Sequence, residues 1–134
     1  MLRFMLDTDL CIRVLRDRPE GLRERFNANA DGLCVSTVTA GELLYGAARS
    51  ARPEHHRAAV EGFLARLEVL PFDLPAADHA AQIRAELDGR ETPIGSYDVL
   101  IAGHARSRGL VVVTGNLREF ARVDGLRCED WPIA

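Results

Sequence analysis

Apolar residues along the chain fall into two kinds of run, short continuous blocks and longer stretches in which they recur at helical spacing. The short blocks are Phe4-Met5-Leu6, Leu33-Cys34-Val35, Glu68 to Phe72, Leu110 to Val113 and Leu126 to Glu129, and they read as strands. The longer stretches are Leu10 to Asp17, Pro19 to Asn29, Thr37 to Ala48, Glu54 to Leu67, Pro75 to Leu87 and Tyr97 to Ser107, with one further helical turn over Leu117 to Phe120. Ser36 or Thr37 and Ser96 are placed to cap helices, and Gly109 is placed to end one. Three consecutive valines, Val111 to Val113, suit a strand covered on both faces. Strands that alternate with helices in this order predict an α/β fold of three layers, α/β/α, around a central, mostly parallel sheet.

Polar residues gather where two of these strands stop. Phe4-Met5-Leu6 runs into Asp7-Thr8-Asp9, and the valines run into Thr114-Gly115-Asn116. Open α/β sheets bind ligands beyond the carboxyl ends of their strands, which makes Asp7 the first candidate for a site. Glu42 is the one charge in the apolar helix that follows the second strand, and Asp98 opens the helix before the valines. Each has an ordinary alternative: Asp98 as an acid favoured by the helix dipole, Glu42 as part of a solvent-facing stripe. Three carboxylates buried together, however, raise one another's pKa or disrupt the fold unless a cation stands between them. Oxygen-only ligands favour Mg²⁺, or Mn²⁺, over zinc.

The length of 134 residues and a hydrophobic content of 47% predict a single domain over residues 1–134 with a substantial core. No run of eighteen apolar residues occurs, and the first residues lack the pattern of a signal peptide, so a cytoplasmic protein with no membrane contact is expected. Cys11, Cys34 and Cys128 form no C-x-x-C pair and read as core residues rather than as a disulfide or zinc framework. A net charge of −3 excludes a nucleic-acid binder that relies on bulk positive charge, though not one with a local basic patch. All seventeen basic residues are Arg, the better bidentate partner for phosphate. Arg13, Arg16, Arg84, Arg106, Arg108 and Arg118 are the candidates for steering an RNA, with solvated helix faces as their ordinary alternative. His55, His56, His79 and His104 are not spaced as a metal cluster, and His104 is expected to pack inside its helix. Tyr45 and Tyr97 could stack on a base, but core positions are the expectation.

In order along nearly the whole chain, LDTDLCIRVL, STVTAGELLYGA, PIGSYDVLIAGHARSRGLVVVTGNLREF and GLRCEDW resemble the VapC-type toxins of the PIN-domain ribonucleases. The resemblance implies a metal-dependent endoribonuclease with Asp7 and Asp98 as direct Mg²⁺ ligands and Glu42 nearby or acting through water. It further implies a homodimer, a cognate VapB-type antitoxin that blocks the cleft, DNA contact only through that antitoxin, and a structured RNA substrate such as initiator tRNA in its anticodon region. Two positions depart from the family pattern. Asp9 stands where Asn is usual, either adding negative charge or capping the next helix, and Asn116 stands where a fourth acid is frequent, with Glu119 one helical turn on. Asn116 is expected to hold water or ligand geometry, and Glu119 to support the site from behind. The rival enzyme is a haloacid-dehalogenase-like phosphatase with Asp7 as nucleophile and Asp9 as general acid, against which stands the absence of any Lys. A response-regulator receiver fails on the same ground. The rival of another class is a PIN-like module that binds RNA or a partner without cutting.

Overall fold

Strands of only two to four residues hold together here because helices pack on both faces of the sheet. The structure, a computed structural model, describes residues 1–131. Its strands are β1 (Phe4–Leu6), β2 (Leu33–Ser36), β3 (Glu68–Leu70), β4 (Val111–Val113) and β5 (Cys128–Glu129), joined by helices α1 (Thr8–Arg16), α2 (Leu22–Ala28), α3 (Thr37–Arg49), α4 (Pro53–Leu64), α5 (Leu74–Gly89), α6 (Ser96–Arg108) and α7 (Leu117–Phe120). All pairings are parallel, in the order β3-β2-β1-β4-β5.

Successive side chains on a strand point to opposite faces, and the core divides accordingly. Met5, Cys34 and Val112 pack with Ile83, Leu87, Ile101 and Phe120 on the α5–α6 side. Their neighbours Leu6, Val35 and Val113 pack with Leu10, Val14, Phe26 and Phe63 on the α1–α4 side. Helices therefore cover both faces, which is the three-layer α/β/α arrangement expected from the strand and helix order. On the first of these faces α5 and α6 approach closely at Gly103: a Cβ there would lie 2.5 Å from Ala80 N and 2.6 Å from Ala80 Cα. Only glycine fits opposite that backbone.

The chain steps outward from β1 through β2 to β3, then crosses back so that β4 lies against the other edge of β1. The direction of winding reverses beside β1, and the carboxyl ends of β1 and β4 lie at that switch point, where open α/β sheets bind their ligands.

Several boundaries differ from the sequence expectation for local reasons. Pro19 lies in a turn, and α2 begins only after Gly21, whose φ of 97° ends the preceding segment. α4 stops at Leu64 and β3 at Leu70, because the chain turns at Ala65 and again before Asp73, whose side chain caps α5 by accepting from Ala76 N at 3.1 Å. Ser96 is the first residue of α6 rather than its cap, a place taken by Gly95. The last strand is confined to Cys128–Glu129, and Pro132 lies outside the described residues. Cys11 and Cys34 are buried and Cys128 is half-buried, all as free thiols. His104 is fully buried in α6, its Nδ1 2.8 Å from Ser36 Oγ and its ring edge-on to Phe72, as its packing role requires.

Candidate active site

Asp7 follows β1 directly and serves as N-cap of α1: Leu10 N donates to its Oδ1 at 2.8 Å. The hydroxyl of Thr114, at the end of β4, donates to its Oδ2 at 2.5 Å. One carboxylate oxygen is thus held by the first turn of α1 and the other by the end of β4, and the residue is only 2% exposed. Burial pushes the Asp7 carboxyl up to about 6, against the pull of these two donors. Arg13 lowers it and Asp9 raises it further.

Glu42 lies on α3, half-buried, and accepts from the Thr8 hydroxyl at 2.5 Å, with Thr39 Oγ1 3.2 Å from the same hydroxyl. Asp98 is half-buried in the first turn of α6, where the helix dipole favours an acid. Its carboxyl is nevertheless pushed up to about 7, chiefly by burial, then by a hydrogen bond with Glu119 and the charges of Asp7, Glu119 and Glu42. The thiol of Cys11 behind them is raised by burial and then by the charges of Asp7 and Glu42. Four acids, one at the N-cap of α1 and the others on α3, α6 and α7, therefore share one electrostatic neighbourhood beside β1.

Asn116 is exposed and donates through Nδ2 to Glu119 Oε2 at 2.5 Å, while its backbone N–H donates to Thr114 Oγ1 at 2.8 Å. Glu119 stands closer to the centre than expected, since it touches Asp98 itself. Asp9 does not cap α1; it lies in the first turn and pairs with Arg13 at 3.3 Å. Two residues without an assigned role, Thr8 and Thr114, prove to be the donors that orient the acids. Their signal is positional, a hydroxyl beside an acid at one strand end and at the end of the adjoining strand.

The arginine candidates separate. Arg13 pairs with Asp9 and lowers the Asp7 carboxyl, as the smallest of the influences on it. Arg106 is spent on a clamp, donating from Nε to His79 Nδ1 at 3.0 Å and from Nη1 to Asp124 O at 2.9 Å. It and Arg108 occupy the last turn of α6, about 12 and about 15 Å along the axis from Asp98. Arg84 is exposed and faces Asp88 at 4.0 Å, Arg16 is exposed in the last turn of α1, and Arg118 is exposed on α7 beside Glu119. Tyr45 and Tyr97 are 62% and 57% exposed, not core as expected, because each falls on the outer face of its helix.

An acid-lined crevice at the switch point of a parallel α/β/α sheet defines a class of proteins that handle oxygen-seeking cations or anionic ligands. Residues 4–126 match the sequence profile described as the PIN domain, and the chain belongs to that family. It is 59% identical over 131 residues to the tRNA(fMet)-specific endonuclease VapC of Salmonella typhimurium, covering 98% of this chain and 99% of that one. Identity to the tRNA(fMet)-specific endonuclease VapC of Shigella flexneri is 55% over the same coverage. Among solved structures, a chain of the DNA-bound VapBC complex of Salmonella typhimurium superposes with a TM-score of 0.94 at 58% identity, covering 98% of this chain and all of that one.

PIN-domain ribonucleases are generally dependent on a divalent metal. The donor set here fits a hard cation: oxygen donors alone, and an Asp98 carboxyl raised by burial first and by the neighbouring acids after it. Among the described residues no three acidic, histidine or cysteine side chains already stand in ligating geometry. The carboxylates are turned onto Thr8, Thr114 and Asn116 instead. No helix of the described residues is long and apolar enough to cross a membrane.

Proposed function

We propose that residues 1–134 act as one PIN domain and as the toxin of a VapBC-type pair, a metal-dependent endoribonuclease that cuts structured RNA. The observation that carries this reading is the convergence of Asp7, Glu42, Asp98 and Glu119 at the carboxyl ends of β1 and β4. Asp7 and Asp98 would hold Mg²⁺, with Mn²⁺ as a substitute, and Glu42 would stand beside them. The ion supplies Lewis acidity and a lowered pKa for water at the scissile phosphodiester.

The chain's own residues do the rest. Thr114 and Leu10 N fix the direction of the Asp7 carboxylate and favour its ionised form. Thr8 does the same for the position of Glu42. After burial, the hydrogen bond with Glu119 is the next influence that raises the Asp98 carboxyl, to about 7. Asn116 fixes Glu119 from the other side.

The substrate proposed is initiator tRNA in its anticodon region, in line with the names of the Salmonella and Shigella relatives. A loop exposes its backbone to such a site as a duplex does not. A VapB-type antitoxin is the proposed partner, with any DNA contact made by the antitoxin, in line with the DNA-bound VapBC complex of Salmonella typhimurium. A homodimer is the proposed assembly, from the family resemblance alone. The phosphatase reading loses its support because residues 4–126 match the PIN domain and the Salmonella and Shigella relatives are named as endonucleases. The test is cleavage of total tRNA and rRNA by wild type and by Asp7→Asn, with Mg²⁺ and with EDTA, the 5′ ends being mapped. A discrete Mg²⁺-dependent cut, lost in the variant, is expected; RNA bound tightly but left whole by wild type would favour the non-cleaving module.

A further inference from the structure

The carboxylates that suit a metal also repel the RNA that must reach it, so a cation is needed within the crevice. Arg13 occupies that place. Its Nη2 pairs with Asp9 Oδ2 at 3.3 Å one helical turn earlier, and its side chain remains 41% exposed. The guanidinium rests on the backbone of Gly115, where an added Cβ would lie 2.5 Å from Cζ and closer still to Nη1. Gly115 follows Thr114, the residue that holds Asp7, so Arg13 is anchored to the same strand end as the site. Among the described residues no other hydrogen bond or ion pair draws on this guanidinium, which leaves most of its donors available.

We propose that Arg13, tied to Asp9 and seated on Gly115, is the phosphate-binding residue of the cleft, taking the non-bridging oxygens of an RNA phosphodiester beside the one that is cut. The inference rests on the ribonuclease reading above. A planar guanidinium suits phosphate, and its charge offsets the neighbouring acids along the path of the backbone. Asp9 is then a positioning residue: it sets the angle of Arg13 and touches no substrate. Gly115 matters for the room it leaves, since any side chain there would evict the guanidinium. Because the obstacle is the far end of a flexible side chain, Gly115→Ala displaces Arg13 while sparing the fold.

The test measures binding of a short fluorescein-labelled stem–loop with the anticodon sequence of initiator tRNA, in EDTA and over a range of KCl, beside Mg²⁺-dependent cleavage of the same RNA. Arg13→Gln should weaken binding by about fivefold to tenfold and flatten the slope of log Kd against log salt by about 0.7 to 0.9, the signature of one lost phosphate contact. Arg13→Lys should keep the slope. Gly115→Ala should weaken binding in the same sense, and the double variant should be no worse than Arg13→Gln alone. An unchanged slope in Arg13→Gln overturns the proposal, even if the pH dependence of cleavage moves, because that pattern belongs to a residue that only neutralises Asp7. If Arg13→Gln does not fold, the slope in Gly115→Ala decides alone. Wild type that neither binds nor cuts RNA would overturn the ribonuclease reading and this proposal together; wild type that cuts, with the slope unchanged in the variants, overturns this proposal only.

Discussion

Thr114 donates its hydroxyl proton to Asp7 Oδ2 across the junction of β4 and β1. That bond opposes the rise that burial imposes on the Asp7 carboxyl. Thr114→Val, similar in shape, should therefore push the carboxyl higher. The rising limb of the pH–rate profile should move up by about one pH unit, the equivalent of roughly 1.4 kcal/mol, with cleavage down by about tenfold near pH 5 and by only about twofold at pH 7. A pH–rate series on the two proteins checks it.

The raised carboxyls also set a pH dependence of stability. A group whose folded pKa exceeds its unfolded value contributes stability that is present below the unfolded pKa and lost as pH rises through the folded one. For Asp7 that interval runs from 3.8 to about 6, and for Asp98 from 3.8 to about 7. In EDTA the Tm should fall as pH rises from 4 to 7.5, Asp7 alone accounting for about 2–3 kcal/mol. Asp98→Asn should flatten the upper part of that fall, and Mg²⁺ should raise Tm more at pH 7.5 than at pH 5. Thermal melts with and without metal across this range provide the measurement.

Asp98→Asn and Asp7→Asn should each abolish cleavage by at least about a thousandfold while leaving RNA binding equal or tighter, since each removes a charge that repels phosphate. Paired cleavage and anisotropy assays separate the two effects.

Gly103→Ala should destabilise the protein without touching the site. The Ala80 backbone cannot yield as a side-chain tip can, so the cost should reach about 1–3 kcal/mol. Urea unfolding reads it directly.

Arg106→Ala supplies the contrast to Arg13. Its guanidinium links α5, α6 and the chain at Asp124, so the variant should lower Tm by several degrees and leave the salt slope of RNA binding unchanged. Melting and binding on one preparation discriminate.

Much of this fold could be read from apolar blocks that end abruptly in acids or hydroxyls. Asp7, Glu42 and Asp98 stood out because each broke an apolar run, and the structure gathers them. The Asp9–Arg13 pair was readable as an i,i+4 spacing, but a capping role competed for Asp9 and only the backbone settled that Asp7 holds the cap. The contact of Glu119 with Asp98 and the capture of Arg106 by His79 join segments distant in sequence, and no local pattern reports such meetings. The exposed faces of Tyr45 and Tyr97 depended on how α3 and α6 are rotated against the sheet, which a few aromatic positions do not determine.

The strand order has a temporal meaning. β1 is made first, yet its permanent neighbour β4 lies more than a hundred residues later, and β4 brings Thr114 and leads into Glu119. A chain still emerging from the ribosome with β1, β2 and α3 complete carries Asp7 and Glu42 but lacks the strand that orients Asp7. The acidic centre therefore comes into being only once β4 and α7 have been added, and a product truncated before β4 would carry Asp7 and Glu42 without Thr114 and Glu119.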